Sequence, residues 1–263
     1  MSLAVRIIPT LLHRGATLVK GKQFDSWRSV GNVHQAARIY ASRGVDELCI
    51  LDIGATPEGR GPDFGLVENL TDGNFCPVTV GGGVRTVDDA RLLLRAGADK
   101  IAIGVGAVHG EIKDVVSSDA GGRAIRMISN AFGRQAVVAI INYGIYEVQR
   151  QVHGTKYERG LARKHVIARA KSVESLGSGE ILLTSIDREG MMEGYDLEMI
   201  AAVSKAVSIP VIAHGGCGTP QHMLEAIQAG ASAVAAGSMF QFTDVTPRVA
   251  AEYLRDHGVE VRV

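Results

Sequence analysis

The residues best suited to moving protons stand at the ends of short apolar runs. Asp52 closes Glu47–Asp52, Asn142 follows Ala136–Ile141, and His214 follows Val211–Ala213. Asp187 and Glu189 follow Glu180–Ser185 in the segment Ser185-Ile186-Asp187-Arg188-Glu189-Gly190. A carboxylate or imidazole at the C-terminal end of a strand can exchange a proton with a ligand lying above it. Acidic residues in such loops also cap helices, so both roles are open for each one taken alone.

Glycine-rich turns form a second set. Val80-Gly81-Gly82-Gly83 and Gly104-Val105-Gly106 follow two apolar runs, and His214-Gly215-Gly216 and Gly237-Ser238 follow two others. Glycine allows backbone N–H groups to approach an oxyanion, and a following helix adds the positive end of its dipole. The same glycines would also serve tight turns with no ligand. Two matched pairs favour two phosphate cradles, and therefore a long ligand with phosphate at both ends.

Arg6, Glu47, Lys100 and Glu180 make a third set, each at the start of a run. Start-of-strand charges face the mouth of a barrel opposite the chemistry. They could be salt bridges closing a floor, or a charged gate. No His or Cys cluster has metal-ligand spacing, so no metal is expected, and no cofactor is implied.

The elements that would position these groups alternate along the chain. Strand candidates are Val5–Thr10, Glu47–Asp52, Val78–Val80, Lys100–Ile103, Ala136–Ile141, Glu180–Ser185, Val211–Ala213 and Ala233–Ala236. Amphipathic stretches such as Val87–Ala96 and Pro220–Ala229 lie between them. Eight parallel units in 263 residues predict an α/β fold, a (β/α)₈ TIM barrel, as a single domain over residues 1–263. The stretch Glu47–Gly106 also repeats at constant offset as Glu180–Met239: Asp63 matches Asp196, Thr86 matches Thr219, and Gly82-Gly83 match Gly215-Gly216. The barrel is therefore expected to be two duplicated half-barrels. Tyr143–Lys164, the longest irregular piece, is expected to be a loop at the catalytic face.

Composition narrows the function. Formal net charge is zero, which argues against a nucleic-acid or membrane-surface partner. The three cysteines are scattered, which suits a reducing cytoplasm better than a disulfide framework. No signal peptide or membrane span is expected, because no run approaches ~18 apolar residues.

The glycine turns, Ala96-Gly97-Ala98-Asp99-Lys100, the block Gly179–Arg188, Gly194-Tyr195-Asp196, the opening Arg6-Ile7-Ile8 and Leu18-Val19-Lys20-Gly21 together resemble the cyclase subunit family of imidazole glycerol phosphate synthase. The resemblance spans essentially the whole chain. It implies a duplicated barrel that takes ammonia from a glutaminase docked at the N-terminal face. It places the ammonia gate on Arg6, Glu47, Lys100 and Glu180, with Asp99 and Gln135 on the partner face. Lys20, Asp52 and Thr79 match the active-site side, and Gly82, Gly83, Gly104, Val105, Gly190, Gly215, Gly216, Gly237 and Ser238 the phosphate-binding turns.

The chain departs from the family where the chemistry is. The two acid–base aspartates fall on Leu12 and Asn142, an Asn-Thr pair on Gly104-Val105, an acid after strand six on Glu189, and a serine on His214. Catalytic candidates are thus Lys20, Asp52, Asn142 and His214, with the cyclase reaction altered or lost. Leu11-Leu12 and Ala235-Ala236-Gly237-Ser238 resemble a branch that works with a glutaminase-like subunit and a sugar amidotransferase in surface-polysaccharide biosynthesis. That branch keeps the aspartate that is Asn142 here. Three functions follow as expectations: ammonia delivery for sugar amidation, authentic cyclase activity in histidine biosynthesis, or a catalytically silent phosphate-binding regulatory partner.

Overall fold

Runs of Val, Ile, Leu and Ala that are apolar on both faces must bury both, and eight of them lie side by side as parallel strands. The computed structural model describes residues 4–73, 76–105, 120–144, 149–152, 155–158 and 161–263. Gly106, and much of the stretch after Gly144, lie outside them. The barrel strands are β1 (Arg6–Arg14), β2 (Leu48–Asp52), β3 (Val78–Gly81), β4 (Lys100–Gly104), β5 (Val137–Gly144), β6 (Glu180–Ser185), β7 (Val211–His214) and β8 (Ala233–Ala236). Each pairs with its neighbour in sequence, and β8 pairs back onto β1 from Arg6↔Ala233 to Pro9↔Ala236. This is a closed (β/α)₈ TIM barrel.

Closure separates two cores by the period-two alternation of strands. Ile8, Cys49, Ala102, Val138, Ile140, Leu182, Ile212, Ala233 and Ala235 cluster inside the barrel. Ile7, Leu48, Ile50, Ile101 and Val211, on the alternate register, join the helices in a larger outer core. The helices that cover it are α1 (Val33–Ser42), α2 (Phe64–Thr71), α3 (Val87–Arg95), α4 (Ala120–Phe132), α5 (Val166–Ser175), α6 (Leu197–Ala206), α7 (Pro220–Gln228) and α8 (Pro247–Asp256), with a short helix Ser238–Phe242 after β8.

The repeat seen in the sequence is a repeat in space. Asp63 and Asp196 cap α2 and α6 by accepting from Leu66 N and Met199 N. Thr86 and Thr219 cap α3 and α7 in the same way. The turns after β3 and β7 also match. Gly82 has φ 114°, and a Cβ there would run into the Asp52 carbonyl; Gly215 has φ 89°, and a Cβ there would sit 2.6 Å from the Ser185 carbonyl. Asp52 and Ser185 are themselves repeat partners.

Two segments differ from the sequence expectation. Strands Thr17–Lys22 and Asp25–Asn32 form an antiparallel hairpin extending from β1, where no strands were expected. Its alternation is short and broken by register shifts after Leu18 and Lys20, so periodicity gives little signal. The expected loop Tyr143–Lys164 begins inside β5, which runs on to Gly144. It then contains an antiparallel pair, Gln149–Val152 with Thr155–Glu158, and a two-residue strand, Leu161–Ala162, parallel to β5.

Gly215→Ala should lower stability by about 1–3 kcal/mol, since it combines a left-handed φ with a backbone collision. Gly104→Ala should be near neutral, because a Cβ there meets nothing within 4 Å. Urea unfolding of the two variants checks the contrast; equal losses would contradict it.

Candidate functional site

Because β6, β7 and β5 are in register, three polar side chains arrive at one level. Thr184 pairs with Asn142 on one side and with His214 on the other. All three continue the inward series of Val138, Ile140, Leu182 and Ile212, so they face the axis at the C-terminal mouth. The Thr184 hydroxyl lies 3.1 Å from His214 Nδ1.

The hairpin brings the fourth member. Lys20 is buried, and its ammonium forms an ion pair with Glu189 in the loop after β6. Three contacts seat the hairpin on that loop. Gln23 N donates to the Glu189 carbonyl at 2.8 Å, Gln23 Nε2 donates to the Asp187 carbonyl at 2.8 Å, and Gly190 packs against the Gly21 carbonyl. Gly190 has φ 78°, and any side chain there would collide with Gly21. The other Glu189 oxygen lies 4.0 Å from His214 Nε2. Lys20, Glu189, His214 and Thr184 therefore form one buried polar cluster, with the Lys20 ammonium close under Gly237.

Burial pushes the Glu189 carboxyl up, but the Lys20 ammonium and His214 together more than reverse this and hold the group below the ordinary carboxylate range. His214 is lowered: burial and Lys20 together overcome the pull of Glu189, so its imidazole is neutral at pH 7. Thr10 Oγ1, His214 Nε2 and Ser238 Oγ are buried side-chain atoms that make no hydrogen bond among the described residues.

The remaining candidates lie elsewhere. Asp52 falls on the alternate register, beside Leu48 and Ile50 of the outer core, and not on the axis. Its carboxylate accepts from Gly54 N at 2.9 Å and Ala55 N at 3.1 Å, and from Arg60 at 2.7 and 3.0 Å. Burial raises the Asp52 carboxyl, and the Arg60 hydrogen bonds together with His13 and the Gly54 amide more than reverse this. These bonds make it the cap of the β2–α2 turn, separate from the Lys20 cluster. Leu12 is buried on the axial face of β1, and Asn142 is half-buried.

The glycine turns differ between halves. Gly82, Gly83, Gly215 and Gly216 all have positive φ, and each one's missing Cβ lies against the backbone of the preceding βα loop, so close packing alone requires them. Gly104 is exposed, and the Val105 amide is engaged with the Ile140 carbonyl at 3.1 Å. In the other half, Gly237 has Lys20 beside it and Ser238 Oγ is buried.

At the opposite end the four charges meet. Arg6 bonds Glu47 at 2.6 Å and Glu180 at 2.8 Å, and Lys100 bonds the same two carboxylates at 2.9 and 3.1 Å. Thr79 donates to the second Glu47 oxygen at 2.5 Å. Burial opposes the charge on Arg6, yet Glu180 and Glu47 prevail and raise its pKa. Asp99 and Gln135 are exposed, and Asp99 accepts from Val78 N at 2.8 Å, tying the entry of β4 to β3. Sequence reasoning missed Arg60 as the partner of Asp52. It also missed Thr184, whose one signal is its parity with Leu182 opposite the end of β7.

Among the described residues, no group of three or more His, Cys, Asp or Glu is placed to hold a metal ion. Among them, too, no helix is long and apolar enough to cross a membrane.

The fold and site define a duplicated (β/α)₈ barrel with a paired charge quartet across its floor and a lysine–carboxylate–histidine cluster at its mouth. The chain belongs to the histidine biosynthesis protein family, whose model matches residues 6–246. It is 42% identical over 269 residues to the imidazole glycerol phosphate synthase subunit HisF of Pyrobaculum aerophilum, with 100% of both chains covered. The HisF subunit of Corynebacterium urealyticum is 43% identical over 255 residues, 94% of each chain, and that of Streptomyces coelicolor 40% over 267 residues, 100% of each.

The depressed groups fix how stability depends on pH. A folded pKa below the unfolded one gives stability that is present above the unfolded value and lost as pH falls through the folded one. His13 and His214 are both lowered, so stability should begin to fall below about pH 6.5. Glu189 and Asp52 add a second loss that begins below about pH 4.3. Unfolding midpoints measured across pH should show both stages, and His214→Asn should shrink the first. A flat profile from pH 7 to 5 would contradict the burial of both histidines.

Proposed function

We propose that this chain is the synthase subunit of a glutamine amidotransferase complex of the imidazole glycerol phosphate synthase type. A glutaminase docks at the N-terminal face around Asp99 and Gln135. Ammonia passes the Arg6–Glu47–Lys100–Glu180 floor, travels the apolar barrel interior, and adds to a phosphorylated ligand held at the mouth. The observation that carries this reading is the floor quartet. Two cations and two anions bridge strands β1, β4 and β6 and the entry of β2, across the axis of a barrel whose layer between floor and mouth is apolar. A floor needed only for stability could be filled more cheaply by apolar side chains, because charges must be desolvated to sit there. In the phosphorylated ligand's site, Gly215, Gly216, Gly237 and Ser238 serve one phosphate and Gly82, Gly83, Gly104 and Val105 the other. The reaction is authentic cyclase chemistry of histidine biosynthesis, a reading supported by the imidazole glycerol phosphate synthase names of the HisF relatives and by the histidine biosynthesis family model.

One observation favours a second reading. Leu12 faces the mouth where one of the family's acid–base aspartates would stand, as in the sugar-amidation branch, whereas Asn142 departs from both branches. That favours ammonia delivery to a sugar amidotransferase of surface-polysaccharide biosynthesis.

The test is ammonia-dependent consumption of the phosphoribulosyl aminoimidazole carboxamide nucleotide, followed by absorbance, for the native chain and for a Leu12→Asp, Asn142→Asp double variant. Turnover by the native chain is expected. Turnover by the double variant alone would support the second reading. Turnover by neither, with stimulation of a glutaminase partner retained, would refute the cyclase reading.

A further inference from the structure

The mouth needs a group that can carry a proton, and the two positions flanking it, Leu12 and Asn142, hold none. Among the described residues, the charged and titratable groups around the cluster are Lys20 from the hairpin, Glu189 from the loop after β6, Cys217, whose thiol burial keeps protonated, and Tyr195, whose hydroxyl donates to the Ala235 carbonyl at 2.9 Å. β8 contributes only alanine and valine. Of these groups Lys20 and Glu189 are committed to each other, and burial keeps Tyr195 protonated. His214 differs. One ring nitrogen is held by Thr184 at 3.1 Å, and the other, Nε2, is buried with no hydrogen bond among the described residues and has the Glu189 carboxylate 4.0 Å away.

That arrangement contains the parts of an activated base: an orienting hydroxyl, a free imidazole nitrogen, and an anion placed to stabilise the imidazolium. We propose that His214 is the proton-transfer residue of this barrel, with Thr184 and Glu189 as its positioning residues and Lys20 holding Glu189 in place. The inference rests on the reading of the barrel as an ammonia-using synthase. With Nδ1–H donating to the Thr184 hydroxyl oxygen, the Nε2 lone pair is available.

The step it performs balances without any other reagent. The ammonia lone pair forms a C–N bond to a carbonyl carbon of the ligand, and the carbonyl π pair moves to oxygen. The nitrogen now bears a surplus proton, which passes to His214 Nε2. The imidazolium, beside Glu189, returns that proton to the alkoxide, leaving a neutral carbinolamine and a neutral histidine. Ammonia arrives along the axis uncharged, so a neutral imidazole is the form required to receive the proton at pH 7. Two groups near one another with opposed tendencies, an ionised carboxylate and a neutral histidine, are what such an assignment needs. The geometry also accommodates a shared atom: an amine or hydroxyl about 2.8 Å from both Nε2 and the facing Glu189 oxygen spans a 4.0 Å gap at an angle of about 90°.

The test compares the native chain with His214→Asn and Glu189→Gln, using saturating ammonium and the carboxamide nucleotide across pH 5.5–9. His214→Asn should lower kcat by about 10²–10⁴-fold and abolish the ascending limb of the pH profile. Glu189→Gln removes the anion that favours the imidazolium, so the limb should move to lower pH while activity survives in part. Should Glu189→Gln fail to fold around an unpaired Lys20, ¹⁵N spectra of the native chain supply the second measurement, with Nδ1 of His214 expected to carry the proton. A native chain that turns over while His214→Asn keeps its rate within threefold and its pH profile unchanged overturns the proposal. A His214 protonated at Nε2 alone overturns it as well. A native chain with no turnover at any pH, yet with the Nδ1–H tautomer observed, defeats the synthase reading instead, and with it this one.

Discussion

A side chain that points along the axis of an eight-stranded barrel has nowhere to go but against the side chains of other strands. Water cannot rescue a charge placed there, so every inward charge must find its counter-charge from a different strand. That constraint organises both ends of this chain. At the floor, Arg6 and Lys100 each bond both Glu47 and Glu180, and no member can leave without stranding another. Loss of one partner of such a set typically costs about 3–5 kcal/mol, and most of that is the penalty for the charge left behind. At the mouth, Lys20 can be buried only because the hairpin lays it on Glu189.

Duplication supplies the frame, and departures from duplication supply the chemistry. The helix caps Asp63 and Asp196, the caps Thr86 and Thr219, and the glycine pairs after β3 and β7 occupy equivalent places. Their roles are local and the same in each half. The equivalents of the mouth cluster are not shared. His214 falls where the first half has Gly81, Thr184 where it has Leu51, and Glu189 where it has Thr56. Only the second half receives a hairpin lysine. The cluster's polar groups thus gather on β6, β7 and the loop after β6, while in the first half a Cβ at Gly104 would meet none of the described residues within 4 Å.

Much of this was legible in the sequence because a parallel barrel writes its strands as short, doubly apolar runs. All eight strands fall where those runs lie, and the repeat of Asp63 and Thr86 by Asp196 and Thr219 marks the half-barrels directly. The floor was legible too, since Arg6, Lys100 and Glu180 open their strands and Glu47 sits one residue before β2. The mouth was less so. Asp52 ends a strand as a catalytic carboxylate would, but one residue of parity turns it away from the axis and onto Arg60. Thr184 gives no signal until the β6–β7 register sets it opposite His214. Lys20 was legible by resemblance, whereas its burial depends on a hairpin whose irregular pairing leaves no clear alternation.

Parity also explains how a site can lose its carboxylates without losing its proton chemistry. An axial carboxylate at the mouth must be either solvated or paired. At Leu12 and Asn142 this chain has removed that demand, and at Glu189 it has met it with Lys20. The charge that remains is fixed, ionised and unable to take up a proton at neutral pH. The neutral partner beside it is, among the described residues, the inward group whose ordinary pKa lies near 7, and burial has tipped it to the uncharged side. Two roles that carboxylates would share are here divided between a permanent anion and a neutral base, and the division follows from which of the two has a lysine against it.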